Sequence, residues 1–554
     1  MNIKKIVGVN LEQIVDWAAA RVYIDIIHQG REWISVDPWP NLEGWDDGRP
    51  INLDSNGWVS SLEAPGLNGT ENQQRVVSIL SREVSSNYTP DEEWVCSWEG
   101  YGGTKWNRNV DLRNDAVVDR ESWTYDSISN KGSFRFKINP SKAGITLQIG
   151  NIDGNWDNSN YPRNIKVYPL HLEDRLDEIF YPEFIDSLKE VEVIRSMPLT
   201  KTNFSPITDW NSRPLTTWYT RATNKGMPLE DVVSLANILK VDLAYSYPPF
   251  CENDYVVNAT SYIRDNLDGM FYPEYGNEPW NGIFPISVLC KDKGLKLFNT
   301  GDSFQDTLMY YGYRSAEIFK TIELVFSNLD KVVRTINCQQ GNTWIAKQIL
   351  NTPFENGFVK DKVDALMIAP YFGGRHGHPD TASEVRDWTL DELFSSLDGP
   401  ETEFNFSLKD AERNIVSYKQ FADEEELRLL AYEGGHHLAG YNRALQEDEK
   451  LVNLFRSAIE DPRMGDLYYK YFNIWENHVD DIFFAFIHTG HHERWSMWGM
   501  REYQSQKREE SPTLDGWLRW VEKKRVVEIP KKRVSVMRLL RNLWVKLRGR
   551  KGVR

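Results

Sequence analysis

From about residue 163 onward the apolar positions follow two alternating rhythms. Runs of strand type occur at Val191–Met197, Asp242–Tyr247, Met270–Tyr275, Val332–Cys338, Ala365–Tyr371, Leu427–Glu433 and Asp481–His488. Between them lie segments with helical apolar spacing, among them Leu229–Leu239, Asp254–Leu267, Asp302–Phe326 and Glu447–Ile459. Ile6–Leu11 reads as one more strand, followed by an amphipathic segment around Ile14–Ile27. Eight strand-then-helix repeats predict an α/β chain folded as a (β/α)8 TIM barrel.

The texture differs between about Asp37 and Asp157. That stretch is rich in Gly, Asn, Asp, Ser and Trp, with short alternating strands at Arg75–Leu80, Glu93–Trp98, Ser133–Ile138 and Ile145–Ile149. Asn56-Gly57, Gly102-Gly103 and Asn130-Lys131-Gly132 mark turns between strands, which predicts an antiparallel β-sandwich inserted after the first barrel strand. The expected domains are therefore residues 1–35 as the first βα unit, 36–169 as the sandwich, 170–525 as the rest of the barrel, and 526–554 as a tail.

Composition refines this picture in three ways. Aromatics reach 13%, with 21 Trp, and flat rings suit the apolar faces of sugars. Trp94, Trp98, Trp106, Trp123 and Trp156 concentrate in the sandwich, making it a candidate carbohydrate-binding module. The net charge of −16 argues against nucleic-acid binding by the main body. The segment Lys531–Arg554 runs the other way, with ten Lys and Arg and no acid. Within it Val534–Leu547 reads as a basic amphipathic helix suited to an acidic partner or a membrane surface.

Cys96, Cys251, Cys290 and Cys338 are widely spaced and read as free thiols. The amino terminus is a poor secretory signal, and no run approaches the ~18 apolar residues of a membrane span, so a soluble chain is expected with its compartment open.

The candidate chemistry centres on Phe271–Pro285, FYPEYGNEPWNGIFP. Glu278 ends an apolar strand between Asn277 and Trp280, and Glu433 ends another in RLLAYEGG, 155 positions downstream. Two strand-end carboxylates are the arrangement that glycoside hydrolysis needs. In a (β/α)8 barrel both would stand on the carboxyl face, at the ends of strands four and seven.

Here the sequence resembles the large clan of retaining (β/α)8 glycoside hydrolases, in its Asn-Glu-Pro on strand four and its lone Glu on strand seven. The wider pattern of GVNLEQIVDW, REWIS, VIRSM, SPITDW, EYGNEPWNG, MIAPYFGG and AYEGGHHL is similar to a group described as cellulose-binding or glycosidase-like proteins. The resemblance implies Glu278 as general acid/base and Glu433 as nucleophile. Arg195 then orients the nucleophile, Tyr371 donates its hydroxyl to Glu433, Asn277 bonds the sugar 2-hydroxyl and Trp498 supplies a stacking floor. Trp280 and His437 complete the expected substrate contacts.

Strand three departs from the clan by ending in Tyr247-Pro248-Pro249-Phe250 where relatives carry a histidine, so specificity does not carry over. His376, His378, His436, His437, His488, His491 and His492 fall in predicted loops after strands six to eight. Their spacing matches no metal signature, and they are expected to line a polar sugar cleft. No cofactor or metal is implied; the expected partner is a carbohydrate. The alternative is a non-catalytic carbohydrate-binding or structural protein on a glycosidase scaffold.

Overall fold

The computed structural model describes residues 6–36, 45–62, 74–82, 92–140, 144–495 and 497–524. The basic stretch Val534–Leu547 lies outside them. The chain divides into two compact units: Met1–Tyr371, Asn414–His436 and Asp481–Gln506 form the first, and Phe372–Arg413, His437–Asp480 and Lys507–Arg554 the second.

The first unit contains eight parallel strands: β1 (Val7–Asn10), β2 (Val193–Arg195), β3 (Asp242–Tyr247), β4 (Phe271–Tyr275), β5 (Thr335–Asn337), β6 (Ala365–Ile368), β7 (Arg428–Ala431) and β8 (Phe483–Ala485). They pair in the order β4, β3, β2, β1, β8, β7, β6, β5. The two edges approach closure, because Phe271 bridges in parallel to Val332, just before β5. This is the strand order of a (β/α)8 barrel.

Alternation decides what fills the interior. Val193, Ala244, Tyr272, Ala365, Met367, Leu430, Ile482 and Phe484 share one buried cluster, and the Val, Met, Leu, Ile and Phe side chains each contribute roughly 1.5–3 kcal/mol by leaving water. Gly8 is required there, since a Cβ on it would stand 2.7 Å from the Phe484 ring. Towards the carboxyl ends the inward positions turn polar. Asn10 lies in register with Arg195, and Ser246 with Glu274.

The expected helix after β1 is absent. Between Ile14 and Ile27 the chain is irregular, ending in a single 3₁₀ turn at Ile26–Gln29. Side chains satisfy its backbone instead: Glu12 accepts from Ala19 N at 2.7 Å and Gln29 from Val22 N at 2.6 Å. Asp25 accepts from Ile27 N at 3.1 Å and Val167 N at 2.9 Å. The β-branched run here has low helix propensity, and its apolar residues are buried on more than one side, so local pattern lost to tertiary packing.

Two four-stranded antiparallel sheets occupy the interval between β1 and β2. One has the order Ile34–Val36, Arg75–Ser81, Ile145–Gly150, Val110–Asn114; the other Arg163–Pro169, Glu93–Glu99, Lys131–Ile138, Ala116–Asp126. Both contribute to one apolar cluster that includes Val76, Trp94, Trp98, Leu112, Phe134 and Leu147. The two most central tryptophans of this stretch are therefore core, with Trp94 and Trp98 almost fully buried.

The second unit is helical, with Leu390–Leu397, Glu449–Glu460, Pro462–His478 and residues 512–524 as its main elements. Phe472 stacks on Trp520 at 5.0 Å. All four cysteines are free and buried, and no helix among the described residues is long and apolar enough to cross a membrane.

Candidate active site

Arg195, the last residue of β2, is the hub of the barrel mouth and is fully buried. Its Nε and Nη2 donate to the two oxygens of Glu274 at 2.8 and 3.2 Å, the fork geometry that suits a guanidinium. Nη1 donates to Glu433 Oε2 at 3.2 Å and to Asn10 Oδ1 at 3.2 Å, and Nη2 also reaches Asn277 Oδ1 at 3.0 Å. The guanidinium carbon lies 4.9 Å from the Tyr432 ring centroid. Burial opposes its charge, but Glu274 and Glu433 hold its pKa above the usual arginine value.

Glu433 follows β7 and is buried. Burial first, and the nearby Glu278 carboxylate second, push its carboxyl up to about 8, against the opposing pull of Arg195 and a hydrogen bond from Tyr371. Glu274 adds a smaller push in the same direction, and it shares the one guanidinium with Glu433. An ionised Glu433, as the resemblance implies, must form against this field.

Glu278 follows β4 on a tight turn. Gly276 has φ +58° and a Cβ on it would meet Ile286 at 2.1 Å, while Glu278 itself has φ +47°. A left-handed glutamate costs roughly 1–2 kcal/mol, a strain typical of functional turns. The turn is locked by its acceptors: Tyr432 Oη donates to Glu278 Oε1 at 2.7 Å and Asn281 Nδ2 to Oε2 at 3.0 Å. Both carboxylates keep the Tyr432 phenol protonated, after burial itself.

The other expected residues fall as follows. Asn277 is buried and donates to Asn203 Oδ1 at 3.1 Å. Tyr371 packs against the barrel core and its ring lies 6.4 Å from Phe486, which in turn lies 5.7 Å from Trp498. Trp280 is half-buried two residues beyond Glu278. His437 belongs to the second unit, where its ring lies 5.4 Å from Tyr441.

The histidines do not form one lining. His376, His378 and His437 are in the second unit, and among the described residues only His491 of the seven borders the cleft below. His376 is held by Gly373 O and Ser396 Oγ, and His488 by Ser187 O, each buried and with its pKa lowered by burial. No group of three or more His, Cys, Asp or Glu among the described residues could hold a metal.

A cleft of about 490 Å³ is bordered by loops that follow β1, β2 and β8; neither Glu278 nor Glu433 borders it. Its aromatic wall is Trp17, Phe204, Phe486, Trp495 and Trp498, and Asn203 joins it to the Arg195 network. Sequence reasoning missed Asn10, Glu274, Ser246, Tyr432 and Asn203. Only Glu274 left a signal, since alternation in FYPEY puts it on the same face as the inward Tyr272.

No family model matches the chain, and no curated protein matches it. Among solved structures it is similar to a fungal β-1,4-galactanase at 13% identity, covering 57% of this chain and 86% of that one, with a TM-score of 0.28. It is also similar to the β-glycosidase of Thermosphaera aggregans, at 9% identity over 60% and 83% of the two chains with a TM-score of 0.30. A Clostridium thermocellum endo-1,4-β-D-xylanase matches at 9% identity over 87% and 91%, with a TM-score of 0.31. Scores this low leave function to the geometry of the chain itself.

Proposed function

We propose that the chain is a retaining glycoside hydrolase acting on a poly- or oligosaccharide, with Glu278 as general acid/base and Glu433 as nucleophile. The observation that carries this reading is that the carboxylates following β4 and β7 share one contact network, in which Tyr432 donates to Glu278, Arg195 donates to Glu433, and the guanidinium lies over the Tyr432 ring. Glu433 attacks the anomeric carbon while Glu278 protonates the departing glycosidic oxygen. Glu278 then takes a proton from water, which displaces Glu433 from the sugar. Trp498 and Trp280 serve as sugar contacts, Asn277 bonds the 2-hydroxyl, and Arg195 and Tyr371 orient Glu433.

The test is hydrolysis of a glycan panel by the wild type and Glu433→Gln. A fall of at least about 10³-fold in kcat on any cleaved glycan supports the reading. The second reading, a non-catalytic glycan-binding protein on this scaffold, is favoured by the Glu433 carboxyl's hold on its proton up to about pH 8. Binding without turnover in both proteins would select it.

We further propose that residues 36–169 form an inserted antiparallel sandwich that binds carbohydrate, with 1–35 and 170–525 as the barrel. Supporting this are a polar groove of about 500 Å³ bordered by Tyr125, Lys131 and Lys166, and Trp106, which is 68% exposed. Loss of retention on insoluble polysaccharide by Trp106→Ala in the full chain tests the role of that ring. The basic tail, 526–554, is proposed to dock on an acidic partner or membrane surface.

A further inference from the structure

The aromatic cleft contains one cation whose charge is not neutralised at contact. Lys201, which follows β2 and has φ +48°, is half-buried and borders the cleft with Asn203 and Asn224. No carboxylate among the described residues lies within ion-pair distance of its ammonium; Glu32 and Asp16 act on it only from farther away. Asp16 is itself committed to Arg31 and Arg82, each at 3.1 Å. A half-buried ammonium with no close counter-ion bears a desolvation cost, and burial indeed lowers its pKa.

Two acids also border the cleft. Glu12 is pushed up to about 8 by burial, so at neutral pH its carboxyl is largely protonated, and Ala19 N donates to it at 2.7 Å. Glu493 is solvent-exposed, where a charge is strongly screened. The rest of the wall combines apolar and aromatic residues with the uncharged amides of Gln13, Asn203 and Asn224 and with His491. Such a wall takes the apolar face of a sugar ring, and the single cation takes an anion carried on that ring.

We propose that this cleft binds a glycan whose sugars carry an anionic substituent, a carboxylate or a sulfate ester, and that Lys201 is the residue that selects it. The inference rests on the glycan-processing reading above and narrows its substrate class. Asn203 ties the two together, because its Oδ1 accepts from Asn277, which also accepts from Arg195. A substrate held by Lys201 would therefore meet Asn203, which connects through Asn277 to the Arg195 that donates to Glu433.

The test is titration calorimetry of the full chain at low salt. The probes are galacturonate, glucuronate and mannuronate oligosaccharides, each beside its carboxyl-reduced neutral form, and a sulfated neutral oligosaccharide beside its desulfated form. At least one anionic member should bind about 10-fold or more tightly than its neutral counterpart. Lys201→Gln should erase that preference without altering neutral-glycan binding or the melting temperature, and Lys201→Arg should retain it. The uronate and sulfate arms identify the anion. Equal binding of charged and neutral forms, no binding of any, or a preference that survives Lys201→Gln would overturn the inference. The hydrolase reading fails separately: anionic preference without turnover removes hydrolysis alone, and Glu433-dependent cleavage of neutral glycans without anionic preference removes this inference alone.

Discussion

The barrel mouth and the paired sheets are both rich in tryptophan, yet they use it in opposite ways. In the sheets, Trp94 and Trp98 are buried, and Gly102 and Gly132 lie so close to Trp98 that a Cβ on either would fall at 2.3 Å from its ring. At the mouth, Trp17 and Trp495 are 37% and 42% exposed and border a cleft that also contains an amide and a lone ammonium. Aromatic abundance therefore does not mark a site. What marks it is an exposed ring beside polar groups that are held in place but still have capacity to bond.

That contrast can be broken most forcefully from the buried side. Trp94→Ala should cost roughly 3–5 kcal/mol through lost burial and a residual cavity, read as a lower thermal midpoint, while glycan affinity of the still-folded protein stays unchanged. Reduced glycan affinity without a stability loss would reverse the assignment. Trp498→Ala should do the opposite. Its expected loss is about 0.5–1.5 kcal/mol of glycan binding, in line with the value of ring stacking, with a small change in midpoint.

The third prediction sharpens the electrostatic half of the comparison. Glu433 carries its raised carboxyl partly because Glu274 shares its guanidinium and adds negative charge. Glu274→Gln should lower the acidic limb of the kcat/KM profile from near pH 8 by about one unit, since the free-protein profile reports the groups that must ionise. An unmoved limb, with activity intact, would show that Glu274 only supports the fold.

The fourth prediction concerns stability. Between about 4.5 and about 8 the folded chain retains a Glu433 proton that the unfolded chain has released. More protons on the folded state means that this group makes stability fall as pH rises through the window. Glu433→Gln removes that slope, so between pH 5 and pH 8 the wild type should lose on the order of 3 kcal/mol more stability than the variant, measured by denaturant melts at the two pH values.

The sequence made the framework legible because strand and helix periods are local properties. Asp242–Tyr247 and Leu229–Leu239 have the bounds that their patterns predict. The segment Ile14–Ile27 departs from its pattern for the converse reason: its apolar residues serve several neighbours at once, which no local period encodes. Glu278 and Glu433 stand out because each ends an apolar run. Glu274 does not, since a carboxylate inside a strand is understandable only once Arg195, 79 positions away, is seen to face it. The cleft is least legible, as Trp17, Lys201 and Trp495 come from loops after three different strands and carry no shared motif.

The central claim is that Glu433 becomes covalently attached to sugar during turnover. The direct measurement is mass spectrometry of the protein after reaction with a 2-deoxy-2-fluoro glycoside that carries the sugar of whichever panel glycan is cleaved. The account predicts one glycosyl mass increment, confined to the peptide carrying Glu433 and absent from Glu433→Gln. A stable adduct on another residue, or inverted anomeric product with no adduct at all, would contradict it.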